Sequence, residues 1–186
     1  VVSGVTWAAT SSDQLLPADT VASLVIHDVP EFKARFAKTA WGRLFADPAV
    51  TALFSNDEDG LLTQSLLPIE TALGMSTLKF LNLPTGELSL SLVVQELNWV
   101  VIALLDVGEN QTTIRELLAQ AIQKIEESGS VVVEEELDGI QVRYVNSPPD
   151  QLNPFQIAYF IRDQRLGILL GSQDQVSQQV TGLFSR

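Results

Sequence analysis

Three times along this chain a short apolar run rich in β-branched residues gives way, within a few polar positions, to a stripe of helical period, at 22–36, 100–122 and 166–184. Side chains repeat every second residue in a strand and every 3.6 in a helix, so each switch of period marks a strand handing over to a helix. The second and third pieces each follow a hairpin partner, and a further hairpin signal, Asp138-Gly139, lies between them. Residue identity among the pieces is low, which makes them a weak internal repeat. The fold class this predicts is α+β: a mostly antiparallel sheet built of hairpin-helix units, with helices packed on one face.

The first strand is expected over 20–27, stopping at Asp28 and Pro30. Phe32, Phe36, Ala40 and Leu44 then recur every four residues, predicting an amphipathic helix that opens at Pro30 and ends at Asp47-Pro48. Beyond a short helical piece and an acidic turn at 56–60, Leu62, Leu66, Ile69 and Leu73 form another stripe, kinked by Pro68. Leu83-Pro84-Thr85-Gly86 is turn chemistry. The next strand sets Leu88, Leu90 and Leu92 against Ser89 and Ser91, the alternation of a half-buried strand with one wet face. Its hairpin mate, 99–107, is apolar on both faces. Ile114, Leu117, Leu118, Ala121, Ile122 and Ile125 define the clearest helix, with Gly129 just past its end. Hairpins follow at 130–136 with 140–146, and at 156–161 with 166–170 through Asp163-Gln164. A last helix carries Val176, Val180, Leu183 and Phe184 behind a capping box of Ser172 and Gln175.

With 186 residues and 46% hydrophobic content the chain can bury one sizeable core. We read 1–18 as an amino-terminal segment, a signal-peptide remnant or linker, and 19–186 as a single α+β domain, part of a longer parent chain since position 1 is Val rather than Met. No Cys is present, which removes disulfides, thiolate nucleophiles and Cys-ligated metals. A net charge of −12 repels nucleic-acid backbones and anionic membrane surfaces, so nucleic acid is excluded as a partner. No apolar run reaches the ~18 residues of a membrane span. Neither a Walker A loop, a G-x-G-x-x-G turn nor a G-x-S-x-G elbow occurs.

Three acidic or His-bearing places are the candidates for chemistry. His27-Asp28 ends the first strand, but neighbours on a strand face opposite ways, so a capping role is expected. Asn56-Asp57-Glu58-Asp59-Gly60 has the look of half a calcium loop, yet the bidentate Glu of an EF-hand would fall at Leu66, which leaves a solvated turn. Glu134-Glu135-Glu136 with Asp138 is expected to be an exposed, charged strand that discourages edge pairing. Trp41 and Trp99 fall on apolar stripes and are expected in the core, whereas Trp7 is unassigned. No catalytic, cofactor or metal residue is assigned.

Leu16-Pro17-Ala18-Asp19-Thr20, then Asp28-Val29-Pro30-Glu31-Phe32, then Phe36-Ala37-Lys38-Thr39-Ala40-Trp41-Gly42-Arg43-Leu44 and Asp47-Pro48 resemble the opening of a family of uncharacterised exported bacterial proteins that begins with a signal peptide and an LPADT-like phrase. Leu83-Pro84-Thr85-Gly86-Glu87-Leu88 resembles the point where that family turns from helices into its first long strand. The resemblance covers about the first half of the chain, carries no site residues, and implies export, a longer parent protein and an α+β domain. The expected function is a non-enzymatic binding or structural domain, exported or envelope-associated, with a protein or envelope polymer as partner. The alternative is a carboxylate-dependent hydrolase of envelope glycans or polymers, which needs two carboxylates converging in one cleft, among Asp28, Asp106, Glu134, Glu136 and Asp163. Pairing of copies through exposed sheet edges is the third expectation.

Overall fold

The computed structural model describes residues 11–47, 50, 83–95, 98–127, 129–147 and 155–185. A single helical turn α1 (Ser12–Leu15) precedes strand β1 (Thr20–Ile26) and helices α2 (Val29–Phe36) and α3 (Ala40–Phe45). Strands β2 (Leu88–Gln95) and β3 (Asn98–Asp106) follow, then helix α4 (Gln111–Glu127), strands β4 (Val131–Leu137), β5 (Ile140–Asn146), β6 (Gln156–Arg162) and β7 (Arg165–Gly171), and helix α5 (Gln173–Phe184). The acidic turn at 56–60, the Leu62–Leu73 stripe and Trp7 lie outside the described residues.

The seven strands form one antiparallel sheet in the order β1-β2-β3-β7-β6-β5-β4. Local chemistry sets its turns. Asp138 and Gly139 both take positive φ, the two-residue turn that matches the twist of the strands it joins. Asp163 and Gln164 do the same between β6 and β7 without a glycine. Gly167 lets the sheet close up: a Cβ there would sit 2.4 Å from the Phe160 ring, which instead lies across β7 and meets Phe184 edge-on at 4.8 Å.

Alternation along the central strands divides the core in two. Val100, Ile102 and Leu104 of β3, with Phe160 and Leu169, pack under Val176, Val180 and Leu183 of α5 and under Leu15 of α1. Ala103 and Leu105, with Ile157, Tyr159, Ile161, Leu166 and Ile168, pack under Ile114, Leu118 and Ile125 of α4. The helices therefore do not share one face. α4 and α5 cover opposite faces because β3, β6 and β7 are apolar on both, and a strand of that kind needs cover on both sides. Within the amino-terminal segment 1–18, Ser12 and Leu15 are buried against this core.

β3 and β4 run in the same direction, with β7, β6 and β5 between them. α4 leaves the end of β3 and reaches the start of β4, so it crosses its face of the sheet on a diagonal. Two areas of that face stay uncovered by α4: β1 and β2 with the Trp99 end of β3, and the corner where β4 ends and β5 begins.

Two local expectations fail. The helix predicted from Pro30 to Asp47 is broken, because Thr39 accepts a hydrogen bond from the Gly42 amide through its hydroxyl and starts α3 afresh. The capping box at α5 does not form either: Ser172 sits at the N-cap, but its hydroxyl has no partner.

Candidate interaction surface

The chemistry-bearing residues are placed by the strand ends, and they do not gather. Asp28 caps α2, accepting from the Glu31 amide at 2.7 Å. Asp106 accepts from the Gly108 amide at 3.1 Å. Asp163 occupies the β6–β7 turn. Glu134 pairs with Arg143 across the strands at 2.5 Å, while Glu135 lies opposite Val142 on the other face, so the acidic run is split as alternation requires. Among the described residues no group of three or more His, Asp or Glu is close enough to hold a metal ion.

His27 does have a carboxylate partner, though not Asp28. Its Nδ1 lies 3.0 Å from Glu87, at the foot of β2. The same carboxylate accepts from the Ser12 amide at 2.8 Å and from the hydroxyls of Ser11 and Ser12, with Arg165 at 3.9 Å. Burial alone would raise the pKa of Glu87, but the hydrogen bonds from Ser12 and His27 outweigh it and leave the carboxyl below its ordinary value. A general acid needs the opposite shift. Glu87 is an anchor that ties residues 11–12 and the end of β1 to the rest of the sheet. Sequence reading missed it because its partners lie 60 to 78 positions away, and only the pairing of the strands brings them together.

The uncovered half of the α4 face is the larger surprise. Alternation gives β2 a wet serine face and a buried leucine face; the structure reverses this. Ser89 and Ser91 are 0% and 1% exposed, on the α5 side of the sheet, while Leu90 is 47% exposed. Leu92 and Val94 are exposed with it. The register sets Leu24 opposite Leu90, Ala22 opposite Leu92 and Val94 opposite Trp99, so these side chains form one continuous apolar field across three strands. Leu24 is 60% and Trp99 47% exposed, and Trp99 is therefore not the core residue its stripe predicts. Trp41, also expected in the core, is 65% exposed and stacks with Phe45 in a ladder continued by Phe36 and Phe32. The two serines supply part of the reason for the reversal. Ser91 bonds Ser23 hydroxyl to hydroxyl at 3.0 Å, which gives the buried Ser91 hydroxyl a partner.

Among the described residues, the field runs out to an edge that no further strand pairs with. β1 is the outer strand and carries no charged residue over 20–26; a bulge at Val21 is its one irregularity. The opposite edge, β4, carries Glu134, Glu135 and Glu136, as expected of a strand built to refuse pairing.

No family model, no curated protein and no solved structure matches this chain. Among the described residues no helix is long and apolar enough to cross a membrane.

Proposed function

We propose that this domain is a non-enzymatic binding module of an exported or envelope-associated protein, and that it takes an extended segment of another polypeptide on the β1 edge and the apolar field beside it. The observation that carries the reading is the reversal on β2, which buries Ser89 and Ser91 and presents Leu90 and Leu92. Leu24, Leu90, Leu92, Val94 and Trp99 together expose roughly 400–500 Å², comparable with the largest apolar patch of a typical monomer, which is often functional. An added strand satisfies the outward backbone groups of β1 and lays its alternate side chains on the same field as Leu24. Charge selects the occupant. At −12 per chain a second copy is repelled, whereas a segment with basic residues between its apolar ones is attracted. Export rests on the LPADT-like opening. Nothing favours the hydrolase, since the described carboxylates stand apart in capping, turn and ion-pair roles.

The test is anisotropy of a labelled peptide of alternating lysine and leucine, with an alternating glutamate and leucine peptide as control. Saturable binding of the basic peptide, weakened at least tenfold (about 1.4 kcal/mol) by Leu90→Ser with Leu92→Ser and unchanged by Glu135→Gln, supports the reading. Equal binding by the serine variant overturns it. A solution mass that is a multiple of 20.3 kDa without peptide replaces it with self-assembly.

A further inference from the structure

The second area left by the α4 diagonal is a cavity of about 470 Å³ between α4 and the β4–β6 end of the sheet. Its floor is apolar, from Leu118 and Ile161, and its walls bring Arg115 of α4 towards Arg143 of β5 and Tyr159 of β6. Two of the chain's 11 Lys and Arg thus line one concavity in a molecule of net charge −12.

The guanidinium of Arg143 is held in place. Its Nε donates to Glu134 at 2.5 Å and its Nη1 to the Tyr159 hydroxyl at 3.4 Å. Burial works against its charge, but Tyr159 and Glu134 more than offset that and raise its pKa above the ordinary guanidinium value. With Nε and Nη1 so engaged, Nη2 and the second Nη1 hydrogen are left as donors for a further acceptor. Arg115 is exposed and its guanidinium forms no ion pair among the described residues.

We propose that this cavity binds a small organic carboxylate, with its acid group between Arg115 and Arg143 and its apolar body over Leu118 and Ile161. The volume lies within the roughly 300–1,000 Å³ of small-molecule sites, and an apolar floor with a few convergent polar groups is their usual make-up. Molecular size does the selecting. The net charge of the chain repels an extended polyanion, while a single carboxylate small enough to enter meets the two arginines at close range. The site is separate from the β1 field, and neither proposal depends on the other.

Calorimetric titration of the full chain with octanoate tests it, against 1-octanol as the uncharged analogue. The expected result is saturable one-to-one binding of octanoate, at least tenfold weaker binding of octanol, and a three- to tenfold loss in Arg115→Gln with the melting temperature unchanged. Ala119→Trp, at an exposed helix position on the cavity wall, is expected to block the site without unfolding the chain. No saturable heat with octanoate, octanol binding as tightly, or unaltered affinity in both variants would each overturn the proposal. Peptide binding at β1 is expected to persist in Ala119→Trp, so failure of one site is distinguishable from failure of the other.

Discussion

The sheet has two edges that solve the same problem in opposite ways. At β4 the exposed strand carries three consecutive glutamates, one of them paired to Arg143, and any added strand would bring its backbone up against that charge. At β1 there is no charge over seven residues, and the apolar field of β2 and β3 extends out beneath the edge. The contrast continues inward. Among the described residues, the α4 face is covered by Ile114 and Leu118 beside β7 and β6, whereas beside β2 it lies open. Among the described residues one half of the sheet is covered by α4 and the other is not, and it is on the uncharged edge of the uncovered half that the proposed strand would dock.

Substitutions on the two halves are expected to differ most in stability. Ile114 is fully buried under α4, and Ile114→Ala is expected to cost about 2–5 kcal/mol in chemical denaturation. Leu90→Ala removes a side chain that is half exposed and is expected to cost under about 1 kcal/mol in the same assay. Equal losses would erase the distinction between the halves.

Glu87 joins the halves, with His27 and Ser12 on one side and Arg165 on the other, and Glu87→Gln is expected to cost about 1–3 kcal/mol. The pH dependence has a definite sign. The folded pKa of Glu87 lies below its unfolded value of 4.5, so its stabilisation is fully present above that pH and is lost as pH falls through the lower, folded value. Melting temperatures of wild type and Glu87→Gln are expected to converge as the solution is acidified below 4.5. A gap that stays constant down to pH 2 would remove Glu87 from the account.

The smallest expected effect on stability is also the sharpest on association. Replacing Glu135 and Glu136 with valine makes β4 resemble β1 while leaving the Glu134–Arg143 pair intact. Light scattering is expected to show self-association of this variant through β4, with denaturation midpoints little changed. A monodisperse monomer would mean that charge is not what protects that edge.

Much of the fold was legible because local chemistry dictated it. The Asp138-Gly139 turn, the α4 stripe ending at Gly129 and the Asp163-Gln164 turn all appear where their residues require. What was not legible depended on which face of the sheet each helix covers. Alternation in 87–95 shows that leucines and serines point opposite ways, but not which way is inward; the serines are buried on the face where Leu15 of α1 packs with Val93. The same ambiguity misplaced Trp99. Trp41 failed for another reason: the Thr39 cap split one predicted helix into two. The acidic β4 strand was readable from composition, whereas the Glu87 anchor and the Arg115–Arg143 cavity depend on partners far apart in sequence.

The central claim is that β1, and not β4, accepts a strand. Amide hydrogen exchange of the full chain, with and without the alternating lysine and leucine peptide at saturation, tests it directly. New protection is expected over 20–26 and in β2, with 131–137 unchanged. Equal protection at both edges, or none at β1 while the peptide is bound, would contradict it.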